Sequence, residues 1–210
     1  MGDFDRAIAD YDEALRIDPR NAVILTNRGA AYRDKGNLDR AIADYDEAIE
    51  ISPKFAPAYN SRGNVWLAKG DNERAIADYS EAIRLVSKNA EYLNNRCWAR
   101  AIAGRELLLA VTDCSEALRI APDDANIMDS RGFAYLRLDR LDDALADYDE
   151  ALSRKPNLAK SLYGRGLAKL KKGDAVGGEA DVTAAKAIQA GIAEEFVRYG
   201  VTPVRATLVE

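Results

Sequence analysis

Residues Ala41–Ile49 read AIADYDEAI. Nearly the same nine residues stand at Ala7–Leu15 (AIADYDEAL), Ala75–Ile83 (AIADYSEAI) and Ala144–Leu152 (ALADYDEAL), with looser copies from Ala110 (AVTDCSEAL) and Gly178. The copies open at 7, 41, 75, 110, 144 and 178, so the period is 34 residues with a single step of 35. Within one copy Ala41, Ile42, Tyr45, Ala48 and Ile49 fall at i, i+1, i+4, i+7 and i+8, an apolar stripe along one side of a helix. Asp44, Asp46 and Glu47 lie between them.

A second word alternates with the first: NRGAAY from Asn27, SRGNVW from Ser61, NRCWAR from Asn95, SRGFAY from Ser130 and GRGLAK from Gly164. Gly36, Gly70, Gly104 and Gly173 close this segment where a helix favours a C-cap, and Asn37, Asp71 and Asp174 follow as turn or N-cap residues. Pro19, Pro53, Pro122 and Pro156 close the other segment and stop a helix before them. Each period is therefore expected to be two antiparallel helices joined by short turns.

Composition fits a folded chain. Of 210 residues 48% are hydrophobic and 31% charged, which is too apolar for disorder. A net charge of -5 works against binding a phosphate backbone, which needs clustered Lys and Arg, so no nucleic acid partner is expected. No apolar stretch approaches the roughly 18 residues of a membrane span, and the N-terminus lacks the pattern of a signal peptide. No membrane partner is expected, and a soluble, cytoplasmic protein is the favoured reading. The absence of histidine removes the commonest general base and metal ligand. No catalytic constellation, metal or cofactor is expected, and GDAVGGEAD from Gly173 lacks the strand and lysine of a phosphate loop.

At these residues the sequence resembles the tetratricopeptide repeat family, whose period is 34 residues. The match runs through Gly29, Gly63, Gly132 and Gly166 as the small residue of the first helix and Tyr32, Trp66 and Tyr135 as the aromatic three places on. It continues through Ala41 and Tyr45, Ala75 and Tyr79, and Ala144 and Tyr148 in the second helix, and ends on Pro53, Pro122 and Pro156. The resemblance implies an all-α, right-handed superhelical solenoid of helix pairs, about five and a half repeats long, with a C-terminal capping helix. A half repeat would occupy 3–20, and full repeats 22–55, 56–89, 90–124, 125–158 and 159–192. A capping helical segment from Ala184 to about Tyr199 and a tail over 201–210 would complete a single domain over 1–200. Repetition itself has a physical reason: one hairpin cannot bury its apolar face alone, and identical interfaces want identical residues.

Three departures stand out. Arg28, Arg62, Arg96, Arg131 and Arg165 occupy the place where the family usually has leucine, and Asp10, Asp44, Asp78, Asp113, Asp147 and Asp181 recur in the second helices. The arginines are either an anion-binding row or, as favoured here, one side of an arginine–aspartate ladder, since a partly buried charge needs a partner. In the fourth period Cys97 replaces the glycine, Cys114 the tyrosine and Arg100 the aromatic, with one extra residue after Gly104. Two buried thiols sharing the volume of one ring are the favoured reading of that pair, and a disulfide is the alternative. At the N-terminus the first helix of a pair is missing, so the face of Ala7, Tyr11 and Ala14 is expected to be covered by residues upstream or by another copy.

The resemblance also implies a concave face lined by first-helix positions. These are Asn60, Asn64, Leu67 and Ala68; Glu91, Asn94, Trp98, Ala101 and Ile102; Asn126, Asp129, Phe133, Leu136 and Arg137; and Lys160, Tyr163, Leu167, Leu170 and Lys171. Mixed amides and large apolar groups suit an extended peptide. The candidate peptide-binding residues are Asn60, Asn64, Asn94, Asn95, Trp98, Asn126, Phe133 and Tyr163, with Trp98 and Phe133 as anchors. Some relatives clamp a C-terminal carboxylate; here Asn64 and Asn95 match, but Asn60, Asn126 and Ser130 stand where the clamp has cations, so the resemblance does not carry it. The expected function is a protein-interaction module holding a partner's peptide or loop. The alternatives are a homo-oligomer formed through the N-terminal half repeat, or the regulatory arm of a larger enzyme.

Overall fold

The computed structural model describes residues 3–202 and is all-helical. Met1 and Gly2, and residues 203–210 of the expected tail, lie outside the described residues. Twelve helices follow one another among those described: α1 (Asp3–Ile17), α2 (Ala22–Asp34), α3 (Leu38–Ile51), α4 (Ala56–Ala68), α5 (Asn72–Leu85), α6 (Ala90–Ala103), α7 (Leu107–Ile120), α8 (Ala125–Arg137), α9 (Leu141–Arg154), α10 (Ala159–Lys171), α11 (Ala175–Ile188) and α12 (Ile192–Arg198). They form two compact units, Met1–Arg96 and Cys97–Glu210.

The helix ends obey the chemistry read from the sequence. Asn37, Asp71 and Asp174 accept hydrogen bonds from the backbone N–H of Arg40, Arg74 and Gly177, meeting donors that a helix start leaves over. Gly36, at φ 84°, turns the chain out of α2, and Asn37 N–H closes the turn on Tyr32 O at 2.8 Å. Asp139 takes the left-handed conformation after α8 without being glycine, and Glu106 takes it before α7, absorbing the extra residue of the fourth period.

The pairing within a period follows from side-chain size. A Cβ at Gly29 or Gly63 would stand 2.7 Å from the ring of Tyr45 or Tyr79, and one at Gly132 would stand 3.0 Å from Tyr148. Glycine alone lets each ring approach the first helix this closely, and all three rings are fully buried. In the last pair Val182 replaces the ring and the helices close up instead: Cβ atoms at Gly166 and Gly178 would each meet the other's backbone oxygen at 2.9 Å. Contacts of Gly166 with Val182 and of Leu170 with Gly178 run in opposite directions, as an antiparallel pair requires. Neighbouring pairs share cores: Leu25 and Ala48 pack with Ala58 in the first unit, and Ala125 and Met128 with Ala151 in the second.

Two expectations change. Cys97 and Cys114 are joined as a disulfide with Cα atoms 5.6 Å apart, not held as two thiols. Glycine and ring positions already face each other across a hairpin, and that separation suits a bridge. The expected helical segment Ala184–Tyr199 is two helices: α11 stops at Ile188, and α12 starts at Ile192 after Gly191. Ile188 is half exposed, off the stripe formed by Ile192 and Phe196.

Candidate peptide-binding face

The arginine row is a ladder. In α2, Arg28 grips Asp44 of α3 with two N–H groups at 2.9 and 2.6 Å and reaches Asp12 of α1 with a third at 2.8 Å. Arg62 holds Asp78 and Asp46 in the same way, and Arg165 holds Asp181 and Asp149. Arg131 grips Asp147, but its third N–H ends on Ser115 Oγ at 3.4 Å. Arg96 likewise reaches Ser80 Oγ, at 3.2 Å. Hydrogen bonds donated to the carboxylates hold Arg28, Arg62 and Arg165 above the ordinary guanidinium pKa. Such charge-assisted forks are committed to the chain's own carboxylates and are not an anion site. Where a cation replaces the family aromatic, it joins the ladder: Arg100 meets Asp113 at 2.5 Å and Lys169 meets Asp181 at 2.8 Å.

In the first unit the candidate asparagines are tied to one another. Asn60 is buried; its amide donates to Glu91 Oε1 at 3.0 Å and its carbonyl accepts from Asn95 Nδ2 at 2.9 Å. Asn64 accepts the Tyr79 hydroxyl at 2.7 Å. These amides brace α4 against α6 and α5, and Asn94 is half-buried beside them. Each used amide keeps further donor or acceptor capacity, since an Asn side chain offers two N–H groups and two lone pairs.

In the second unit three candidates meet in one aromatic cluster, and the chain itself covers them. Trp98 of α6 packs on Phe133 of α8 with ring centroids 5.1 Å apart. Phe196 of α12 lies 4.7 Å from Tyr163 of α10 and 5.4 Å from Phe133. Tyr199, just past α12, lies edge-on to Trp98 at 5.2 Å. Phe133 and Tyr163 are 1% exposed, while Trp98 keeps part of its surface. Asn126 is exposed and stands apart, accepting from Lys155 Nζ at 3.4 Å.

Polar groups hold the covering segment at two points, the Glu195 carboxylate and the Tyr199 carbonyl. Lys160 Nζ meets Glu195 Oε1 at 3.2 Å and sits 4.8 Å above the Trp98 ring. Glu195 also accepts from Gln189 Nε2 at 2.6 Å and from the Tyr199 hydroxyl. Burial works against its charge, but the hydrogen bond from Tyr199 and the positive charge of Lys160 hold Glu195 below the usual carboxylate value. Arg137 donates to the carbonyls of Ala101 and Ile102, where α6 ends, and of Tyr199, where the covering segment ends. No carboxylate pairs with Arg137 among the described residues, so this cation serves two helix C-termini. Beneath the segment Asp129 is buried, accepts from Ser161 Oγ at 2.6 Å, and is pushed up to about 6 by desolvation.

Lys160 and Arg137 stand on first helices and meet the covering segment, although spacing alone does not single them out as peptide-binding residues. Phe196 and Tyr199 were expected only to cap. Glu195, Phe196 and Tyr199 carried a signal in their sequence, an acid and two rings three apart after a glycine break. Among the described residues no group of three or more Cys, Asp or Glu could hold a metal ion, and no helix is long and apolar enough to cross a membrane.

Comparison with known proteins agrees with this architecture. A family model described as TPR repeat matches residues 1–33, 29–70 and 63–96, and one described as tetratricopeptide repeat matches 131–192. Among solved structures, YrrB, "a TPR protein with an unusual peptide-binding site", is similar at 22% identity and TM-score 0.68, over 86% of this chain and 92% of that one. A tetratricopeptide repeat protein from Parabacteroides merdae is similar at 19% identity and TM-score 0.75, over 94% of this chain and 82% of its own. A chain of the APC/C hetero-tetramer Cut9–Hcn1 is similar at 15% identity and TM-score 0.78, over 95% of this chain and 41% of that one. No curated protein sequence matches the chain. The chain belongs to the tetratricopeptide repeat family, whose repeats generally serve as protein-interaction modules and are typically non-catalytic.

Proposed function

We propose that this chain is a non-catalytic interaction module whose first helices hold a peptide or loop of a partner protein. The carrying observation is that first-helix side chains of the second unit already hold a peptide segment, with rings on its side chains and Arg137 on its backbone carbonyl. The residues proposed to act are Asn60, Asn64, Asn94 and Asn95 in the first unit, and Trp98, Phe133 and Tyr163 in the second, with Asn126 at the edge. Amides give an extended backbone its donors and acceptors, and buried rings supply the anchoring energy. The test is selection of displayed random peptides on the full chain, followed by hydrogen-exchange footprinting. Protection is expected on α4, α6, α8 and α10. Selected peptides that protect only the second helices, or a selection that yields none, would remove the proposal.

A second reading has one observation of its own. On α1, Phe4 is 47% and Ile17 80% exposed, which fits a helix that another copy covers. Sedimentation across a range of concentrations decides it: a strict monomer leaves only the peptide-binding role.

A further inference from the structure

Helix α12 has seven residues, well short of the length at which a helix holds itself together in water. Its N-cap, Gly191, supplies no side-chain hydrogen bond. Its conformation therefore depends on what it lies against. One side buries Ile192 and Phe196 completely, while Glu194, Val197 and Arg198 face outward. The side that docks spells a carboxylate, a ring, and a second ring three residues on: Glu195, Phe196, Tyr199.

The receiving surface matches it group for group. Lys160 faces the carboxylate, Tyr163 and Phe133 face the first ring, Trp98 and Phe133 face the second, and Arg137 takes the carbonyl that ends the segment. All three receiving rings, Trp98, Phe133 and Tyr163, are candidate peptide-binding residues. A surface made only to cap the repeats would not need a tryptophan that keeps part of its surface with a lysine over its face, nor a half-buried arginine that meets backbone carbonyls in place of a carboxylate.

We propose that Gly191–Gly200 is a displaceable internal ligand, and that the partner of this face is a peptide segment presenting an acidic residue followed by two aromatic residues spaced i, i+3 on one helical side. This rests on the function proposed above and adds the chemistry of the partner and a closed resting state. A tethered segment competes at a high effective concentration, so a free partner sees only the fraction of molecules in which α12 is released.

The probe is a fluorescent peptide of the sequence GIAEEFVRYG, read by anisotropy against the full chain. F196A/Y199A, which removes both docking rings from the internal segment, should bind it at least tenfold more tightly than wild type. E195R keeps the rings and reverses the charge opposite Lys160, and it should also bind more tightly, which guards against a fold defect in the first variant. Saturating wild type with unlabelled peptide should speed amide exchange within 192–199, and a peptide with alanine at both rings should do nothing. Equal affinity for wild type and both variants, or exchange at 192–199 that saturating peptide leaves unmoved, would make α12 a fixed cap and overturn the inference. If displayed peptides still footprint on the first helices in that case, the proposed function stands without it; loss of every footprint removes both.

Discussion

Breaking the Cys97–Cys114 bridge should destabilise the unit that contains it by about 3 kcal/mol. The two residues are 17 apart in sequence, and closing a loop of that size in the unfolded chain is worth about 3 kcal/mol in the loop-entropy account. Both cysteines are fully buried, so the chain must be reduced while unfolded and then refolded. Urea unfolding with and without a phosphine reductant, followed by Trp98 fluorescence in a Trp66→Phe background, reads the difference directly. With a slope of about 1–3 kcal/mol/M the midpoint should fall by roughly 1–3 M. The repeat itself supplies the control, because Cys97→Gly with Cys114→Tyr restores the pair seen at Gly63 and Tyr79. Burying that ring recovers about 1.5–3 kcal/mol, so this variant should lie near the oxidised protein and ignore reductant. Cys97→Ala with Cys114→Ala loses both bridge and ring and should be the least stable of the set. Two thiols per chain reacting in denaturant without reductant, or identical midpoints in both buffers, would refute the reasoning.

Asp129 gives a pH prediction. Its carboxyl, with Ser161, Lys160, Glu195 and Tyr148 around it, is raised by burial from an ordinary 3.8 to about 6. The folded chain thus keeps a proton that the unfolded chain has released, so stability falls as pH rises through this interval; Asp129→Asn should flatten that slope and be more stable at pH 7, by thermal unfolding at several pH values. The Tyr148 hydroxyl is buried with no hydrogen-bond partner among the described residues, whereas that of Tyr79 donates to Asn64. Tyr148→Phe should therefore be neutral or stabilising, and Tyr79→Phe should cost about 1 kcal/mol in urea. Arg62→Ala leaves Asp78 buried without its fork and should cost about 2–4 kcal/mol. Arg84→Ala breaks only an exposed pair with Glu81 and should cost less than about 1 kcal/mol; equal costs would make the ladder ornamental.

The sequence made the helix pairs legible because each period repeats one packing problem, and the glycine opposite Tyr45 has no other solution. The ladder's first link was equally readable, since Arg28, Arg62, Arg131 and Arg165 each have an aspartate 16 residues on, in the second helix. Its second link was not: Asp12, Asp46 and Asp149 look like ordinary solvent-facing acids, and nothing in their spelling says that the next period's arginine reaches back. The Cys97–Cys114 bridge stays open in the sequence for a different reason, because buried cysteines fit either state and the Cα separation of 5.6 Å decides between them. Register alone places Trp98, Phe133 and Tyr163 on the first helices, but it gives no sign of the segment that covers them. Ile188 continues the apolar spacing of Ile192 and Phe196, which hid the break at Gly191 and with it the direction in which Phe196 points.

One spelling change along the ladder sets how its backward links answer to salt. Stability in a repeat array is a sum of hairpin and neighbour terms, and the backward links from α6 and α8 end on the neutral hydroxyls of Ser80 and Ser115 instead of carboxylates. Salt screens a link between charges far more than one that ends on a neutral oxygen, so rising ionic strength should loosen the reach to Asp12, Asp46 and Asp149 and leave the reach to Ser80 and Ser115 almost unmoved.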